Sequence, residues 1–254
     1  MFVPKFETDL ERFEWLLIEL RRLSGGKLEV KPQSAEEVEL YIAAFGLFRI
    51  ALDYASGIHK LITSDGVVAT GPIQRALHET WIELKYMLEV GDPVRNALKL
   101  KISTLFELND FANENSAKMK QSSVSMMQAQ LDDYEKRHPL EYEQVALQRS
   151  QRKYHWSGIS ISRMEKTVFQ HPTYKYLSWE AHATLASVRD VKLTKTGDTY
   201  LLQHSAAEYW PFNNPDHVAY SVSGTLFYIW CLLAQRFNLP TIEVPMTEEV
   251  DTAG

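Results

Sequence analysis

With 254 residues, 45% of them hydrophobic, the chain is long enough to bury a sizeable core without disulfides or metal. Its net charge of −6 at pH 7 excludes a protein that coats nucleic acid over its whole surface. The single cysteine, Cys231, lies in an apolar stretch and is interpreted as a buried structural thiol. Residues 1–10 carry charges and no apolar stretch, so we expect no signal peptide and a cytoplasmic protein.

Helical periodicity in nearly every long segment predicts a mainly α fold, a multi-helix bundle. We expect one helical domain over residues 1–254, with an N-terminal helix within 1–30, a bundle core over 35–237 and a flexible tail over 240–254. Ser34 and Glu37 have the spacing of a capping box, which predicts a helix that begins there and extends to about Ile62.

The segment 70–90 reads as one amphipathic helix, with Thr70 as its expected cap. Arg75 and Glu79 belong neither to its apolar face nor to its polar face, and arginine precedes glutamate, the weaker order for helix stabilisation. They are interpreted either as a pair that fixes helix register or as an anion-binding or proton-transfer centre. The side chains expected on the solvent-exposed face are Gln74, His78, Lys85 and Glu89.

The next helical pattern, over 93–137, follows a cap at Asp92 and is long for a single globular helix. It is expected to protrude, to break near 113–116, or to pair with a second copy of the chain. A homodimer through 93–137 is therefore one predicted assembly. Pro139 begins a further helix, and a loop over 154–161 follows it.

Nine basic and three acidic residues lie between positions 149 and 195. Either an anion-facing surface or a chance excess of solvated cations accounts for this asymmetry. Within it, Arg152 and Lys153 precede His155 and Trp156, a combination that favours contacts to phosphate and stacking on a base of RNA or a nucleotide. The alternative is an exposed helix end whose cations suit the helix dipole.

Pro172 begins a predicted helix to about position 187, on which Tyr174, Ser178 and His182 follow one another at four-residue steps. A phenol, a hydroxyl and an imidazole on one helix edge predict an acid–base site. The alternative is a polar edge that hydrogen-bonds to its neighbours. Beyond this helix, alternating residues around a Gly-Asp turn predict a small β-hairpin insertion at about 190–203.

The final predicted helix extends from Asp216 to Phe237. Its uncharged stretch, 218–234, is at the lower limit of length for about 30 Å of hydrocarbon. We expect a central bundle helix and no membrane association. Metal-binding and phosphate-binding motifs are absent, and the single Glu-x-x-His at Glu135 and His138 is half of what a two-metal bundle needs. We therefore expect no metal and no cofactor.

Three motifs together resemble an uncharacterised prokaryotic helical family of unknown function: Arg75-Ala-Leu-His-Glu79, His155-Trp-Ser-Gly158 and Tyr174-x-x-x-Ser178-x-x-x-His182. The resemblance covers about 40–237. That family is broadly similar to the HEPN helical bundles, many of which are RNA-directed nucleases or nucleotide-handling proteins. The form of their nuclease motif in which arginine precedes histidine by five residues is absent here, so nuclease activity is not implied. The resemblance implies one polar pocket.

The leading hypothesis is an enzyme or sensor for RNA or a nucleotide, in defence or stress responses among other settings. Arg75 would bind the anion, Glu79 would orient it or act as a base, and His182 would be the acid–base group. The competing hypothesis is a non-catalytic assembly protein, and a third, less favoured, is a membrane-associated partner. The expected ligand-binding side chains are Tyr174, Ser178, His155, Arg152 and Lys153.

Overall fold

The computed structural model describes residues 6–25, 30–64, 66–115, 117–118, 120–153, 155–170, 191–196, 199–204 and 214–242. The mainly helical prediction is confirmed. Two strands, β1 (Val191–Thr196) and β2 (Thr199–His204), pair antiparallel with Val191 opposite His204. The helices are α1 (Asp9–Gly25), α2 (Ala35–Ile62), α3 (Gly71–Glu89), α4 (Pro93–Glu114), α5 (Gln121–Arg137), α6 (Pro139–Ser150), α7 (Ile161–Val168) and α8 (Pro215–Phe237).

Local capping signals determine where two of these helices begin. The Ser34 Oγ accepts the Glu37 N–H at 3.1 Å, and the Glu37 carboxylate accepts the N–H of Gln33. Asp92 Oδ1 accepts the N–H of Val94 at 2.9 Å and caps α4. Both caps were predicted because they depend only on residues two to four positions apart.

Two predictions for α3 are wrong. Thr70 does not cap the helix: it ends a short 3-10 turn, donates its hydroxyl to Val67 O at 2.7 Å and accepts from the Gln74 amide at 2.8 Å. Gln74 and His78 are not on an exposed face, since only 4% and 7% of their surfaces remain accessible. Thr70 satisfies the Gln74 amide, and the His78 ring packs edge-on against Trp81. Tertiary packing has overridden helical periodicity here.

The long pattern over 93–137 is two helices, because the chain leaves α4 at Asn115 and re-enters helix at Gln121. Helices α4 and α5 pack against each other. Of the three alternatives for this segment, the structure shows the break. The predicted helix over 172–187, with Tyr174, Ser178 and His182, and residues 243–254 of the predicted tail lie outside the described residues.

The chain divides into two compact units, the first formed by 1–30, 47–81 and 171–254 and the second by 31–46 and 82–170. In the first unit, α1 packs against α8. The guanidinium of Arg12 pairs with Asp9 at 2.7 Å and lies 5.2 Å from the centre of the Tyr220 ring. Cys231 is only partly buried rather than buried as expected, and this partial burial raises the pKa of its thiol.

The second unit is built around helices α4, α5 and α6. Arg95 on α4 donates to Glu141 on α6 at 2.6 Å, and the Tyr134 hydroxyl on α5 donates to the carboxylate of Glu39. These contacts fix the helices beside an apolar cluster. Its buried members are Leu98, Ile102, Leu105, Leu131, Tyr134 and Val145.

Among the described helices, α8 alone is long and apolar enough to cross a membrane. Half of its apolar stretch is buried inside the protein. The core helices of soluble proteins meet the same criteria of length and composition, so these two properties alone do not identify α8 as a membrane span.

Candidate functional site

The best-defined polar arrangement in the second unit begins on the last turns of α3. The C-terminal end of this helix is fixed by Asn96 of α4, whose buried amide donates to the backbone oxygens of Met87 at 3.2 Å and Val90 at 2.6 Å. Carbonyls at a helix end have no partner within the helix, and Asn96 satisfies two of them. The end of α3 therefore has a fixed position relative to α4.

Glu83, on this part of α3, pairs with His155 from the loop after α6. The Nε2 atom of His155 lies 2.9 Å from Oε1 of Glu83. Both side chains are 22% exposed, so the pair is largely shielded but in reach of solvent. The partners are 72 residues apart in the chain. Sequence reasoning selected His155 and overlooked Glu83, whose four-residue spacing from Glu79 was the available signal.

The second ring nitrogen of His155 contacts Ser157. Nδ1 lies 2.7 Å from the Ser157 Oγ and accepts the Ser157 backbone N–H at 3.3 Å. Since Nδ1 accepts a backbone donor, the geometry assigns the ring proton to Nε2, where it points to Glu83. A carboxylate, an imidazole and a hydroxyl are thus joined in one hydrogen-bonded chain.

Gly158 shapes the loop that carries this chain. Its φ of +72° is in the left-handed region, and an added Cβ would lie 2.6 Å from Nε2 of Gln148 on α6. The positive φ favours glycine here, and any larger residue would also displace the Gln148 side chain. The motif His155-Trp-Ser-Gly158 therefore includes a residue selected for backbone geometry together with two that hold polar groups in place.

Trp156 does not lie on the surface as the stacking hypothesis required. Only 3% of its surface is accessible, and its ring packs edge-on against Tyr86 with centroids 5.9 Å apart. Because a buried indole offers no face to a base, the prediction that Trp156 stacks on RNA is wrong. Its Nε1 atom and Oε1 of Gln148 are buried and have no hydrogen-bonding partner among the described residues.

The cations that precede His155 are accessible. Arg152 and Lys153 are exposed, whereas Arg149 bonds to Asp110 and lies 5.3 Å from the centre of the Phe106 ring. Over 149–170 the sequence has five basic residues and one acidic residue, Glu165, which is buried. The described part of the basic region therefore presents mainly positive charge to solvent.

The predicted pair of Arg75 and Glu79 forms in the first unit. Arg75 Nε donates to Glu79 Oε1 at 2.9 Å, and the two side chains are 22% and 31% exposed. The pair is neither sealed from solvent nor fully exposed. The predicted third member, His182, and the ligand-binding Tyr174 and Ser178 lie outside the described residues, so their convergence with Arg75 stays a prediction.

No group of three or more potential metal-ligating side chains occurs within the described residues. His138 of the Glu-x-x-His pattern packs instead beside Tyr134, with ring centroids 5.6 Å apart. What the described site offers chemically is a held imidazole with a hydroxyl partner and neighbouring cations. This set is suited to anion binding and proton transfer.

Comparison with known proteins gives one finding. No curated protein and no solved structure matches the chain. The family model described as a family of unknown function (DUF5677) matches residues 41–199. The match includes α3, the loop of His155 and the predicted helix over 172–187. Because it extends over well over half of the sequence, the chain belongs to the DUF5677 family.

Proposed function

We propose that the protein binds a phosphate-bearing ligand, RNA or a nucleotide, at the loop that follows α6. The observation that carries this proposal is His155, fixed by Glu83 and Ser157 and preceded in the chain by the exposed cations Arg152 and Lys153. Exposed arginine and lysine bind phosphate through charge-assisted hydrogen bonds. A partly exposed imidazole beside them can donate or accept a proton at the bound group.

The backbone of Arg152 gives this proposal independent support. Its φ is +60°, and the helix ends in a Schellman arrangement: the N–H of Arg152 donates to Arg149 O and that of Lys153 donates to Gln148 O, both at 2.9 Å. Glycine is the usual residue at this left-handed position. An L-residue costs about 1–2 kcal/mol there. The chain retains a cation where glycine would fit with less strain, which indicates a use for the charge.

Fluorescence anisotropy with a labelled single-stranded RNA of mixed sequence tests the proposal, with ATP as competitor to represent the nucleotide. Arg152→Gly is the informative variant, because it removes a cation and also relieves backbone strain. We expect weaker RNA binding and a slope of log affinity against log salt that falls by about 0.7. Thermal stability should be unchanged or higher, which separates ligand binding from folding.

Lys60→Ala is the matched control, since Lys60 is an exposed cation outside 149–195. It should bind the RNA like the parent. Equal binding by Arg152→Gly and the parent would overturn the proposal, as would an equal loss in both variants. Lys153→Ala should resemble Arg152→Gly in its salt slope.

The remaining expectations extend this proposal. We propose that the fold is similar to the HEPN bundles, that β1 and β2 form a peripheral β-hairpin insertion, and that the protein is cytoplasmic. The Arg75 and Glu79 pair, with His182, would form a second polar centre. Its test is RNA or nucleotide turnover by His182→Ala, which should be lost if His182 is an acid–base group.

A second candidate function is assembly through 93–137. It is favoured by three apolar side chains that are roughly half exposed on α4 and α5: Leu108, Phe111 and Met126. Burial of such side chains is a usual driving force for association. Light scattering of the parent and Phe111→Glu tests it. We expect a dimer that becomes monomeric, and a monomeric parent would contradict assembly.

A further inference from the structure

We infer that Ser157 is a nucleophile, with His155 as its base and Glu83 as the residue that positions the imidazole. The inference rests on the proposed function for its substrate class, an ester of phosphate. The shortest contact of the Ser157 Oγ is the 2.7 Å contact with His155 Nδ1. Hydroxyl, imidazole and carboxylate follow in the order that activates a serine.

The alternative partners of Ser157 are weaker. Its Oγ lies 3.2 Å from the backbone oxygen of Ile159 and 3.5 Å from Sδ of Met164, and it accepts the Ile159 N–H at 3.3 Å. A hydroxyl that accepts one N–H and donates to Nδ1 still has a lone pair for attack. Ser157 is half-buried and so keeps part of its surface in contact with solvent.

Two buried polar atoms at this loop have no hydrogen-bonding partner within the described part of the chain. Nε1 of Trp156 is a buried donor between His155 and Ser157 in the chain, and Oε1 of Gln148 is a buried acceptor whose side chain lies against Gly158. Buried polar groups usually have a hydrogen-bonding partner, so these two atoms mark positions where a bound group can supply one.

The reaction balances with water as the only other reactant. The Ser157 Oγ forms a bond to phosphorus while the bond from phosphorus to the leaving alkoxide breaks, and the hydroxyl proton passes to Nδ1. The imidazolium, stabilised by Glu83, then protonates the alkoxide. Water attacks the phosphoserine, gives a proton to Nδ1, and the Ser157 Oγ leaves with that proton. Arg152 and Lys153, which precede this loop in the chain, would offset the negative charge of the phosphoryl group.

A fluorophosphonate probe tests the nucleophile directly, because attack forms the Oγ–P bond and expels fluoride. We expect one adduct per chain, located on Ser157 by peptide mapping, and none in Ser157→Ala. Ser160→Ala is the matched control: Ser160 is exposed, directly precedes α7 and makes no side-chain cap. It should label at the parental rate.

His155→Gln should react with the probe at least about 100-fold more slowly than the parent, because a general base usually contributes that much to the rate. Glu83→Gln should also lose rate, and Glu83→Asp should recover part of it, which a merely structural carboxylate would not require. Ser157→Cys keeps the loop nearly isosteric, and its thiol should react with iodoacetamide faster than the same thiol in the His155→Gln background. No adduct on Ser157, an adduct on another serine, or His155-independent labelling would overturn the inference.

The two proposals fail separately. Labelling of Ser157 without RNA or ATP binding would keep the nucleophile and remove the phosphate-bearing ligand. RNA binding without any labelling would keep the ligand and remove the nucleophile.

Discussion

Two glutamates on α3 form different kinds of pair. Glu79 pairs with Arg75, four residues away on the same helix, and Glu83 pairs with His155, which is 72 residues away. The first pair can form in the isolated helix and contributes about 0.2–0.5 kcal/mol. The second forms only when the chain folds, and it holds a loop. A carboxylate's spacing along a helix thus predicts its local partner and says nothing of a distant one.

The loop makes the second pair sensitive to backbone changes that leave the first pair intact. Gly158→Ala should have the largest effect and lower the free energy of unfolding by about 2 kcal/mol. Alanine is strained at φ +72°, and its Cβ would displace the Gln148 side chain. Urea unfolding monitored by circular dichroism measures this free energy.

Gly46→Ala is the control for this change. Gly46 lies inside α2 with open space at its Cβ position, so alanine should stabilise the protein by about 0.5–1 kcal/mol. If both alanine variants were stabilised alike, the loop would not constrain Gly158.

Removal of each carboxylate's charge compares the pairs directly. Glu83→Gln should cost about 1.5 kcal/mol, because a charge-assisted hydrogen bond to a largely shielded imidazole is replaced by a neutral one. Glu79→Gln should cost no more than about 0.5 kcal/mol. Added salt should reduce the Glu79 effect more than the Glu83 effect. Equal costs in urea unfolding would show that distance along the chain does not distinguish the two pairs.

The contact between Tyr134 and Glu39 is a second long-range carboxylate contact, here with a phenol as the donor. Burial, and then the hydrogen bond to Glu39, raise the pKa of the Tyr134 phenol. The folded chain therefore keeps this proton to higher pH than the unfolded chain does. The contribution is complete below pH of about 10 and is lost as the pH rises toward the folded-state pKa.

Tyr134→Phe should cost about 1 kcal/mol at neutral pH. It should also flatten the decline of unfolding free energy above pH of about 10. Urea unfolding of parent and variant at several pH values measures both effects. Tyr142→Phe is the comparison, since burial, followed by the nearby carboxylates Glu135 and Asp132, raises the pKa of that phenol. If the unfolding free energy of Tyr134→Phe declined with pH as steeply as that of the parent, the decline would not come from the Tyr134 phenol.

The sequence predicts most helix ends well because their signals are local. Ser34 with Glu37 and Asp92 cap the helices that they were expected to cap. Thr70 has the same residue chemistry, but its hydroxyl closes the preceding turn. A polar residue near a helix start has several backbone partners within reach, and the conformation of the preceding residues decides among them.

The site could be predicted only in part. His155 was identified from its neighbours in the sequence, and its partner Glu83 was not, because fold topology rather than helical period brings α3 to that loop. Helical periodicity also predicts, wrongly, that Gln74 and His78 are exposed. It identifies a single apolar face, whereas a helix packed on several sides buries more than one face. Trp156 lies beside cations in the sequence, a pattern that predicts a stacking platform, but the folded chain buries its ring.

The contact between the His155 and Trp156 rings, with centroids 5.6 Å apart, makes the loop visible to spectroscopy. A shielded indole emits at shorter wavelength than one in water, and an adjacent imidazolium quenches it. A difference spectrum between the parent and Trp156→Phe isolates this signal from the other tryptophans. The protein therefore contains its own optical reporter of the surroundings of this loop, which requires no attached dye and can be followed during ligand addition.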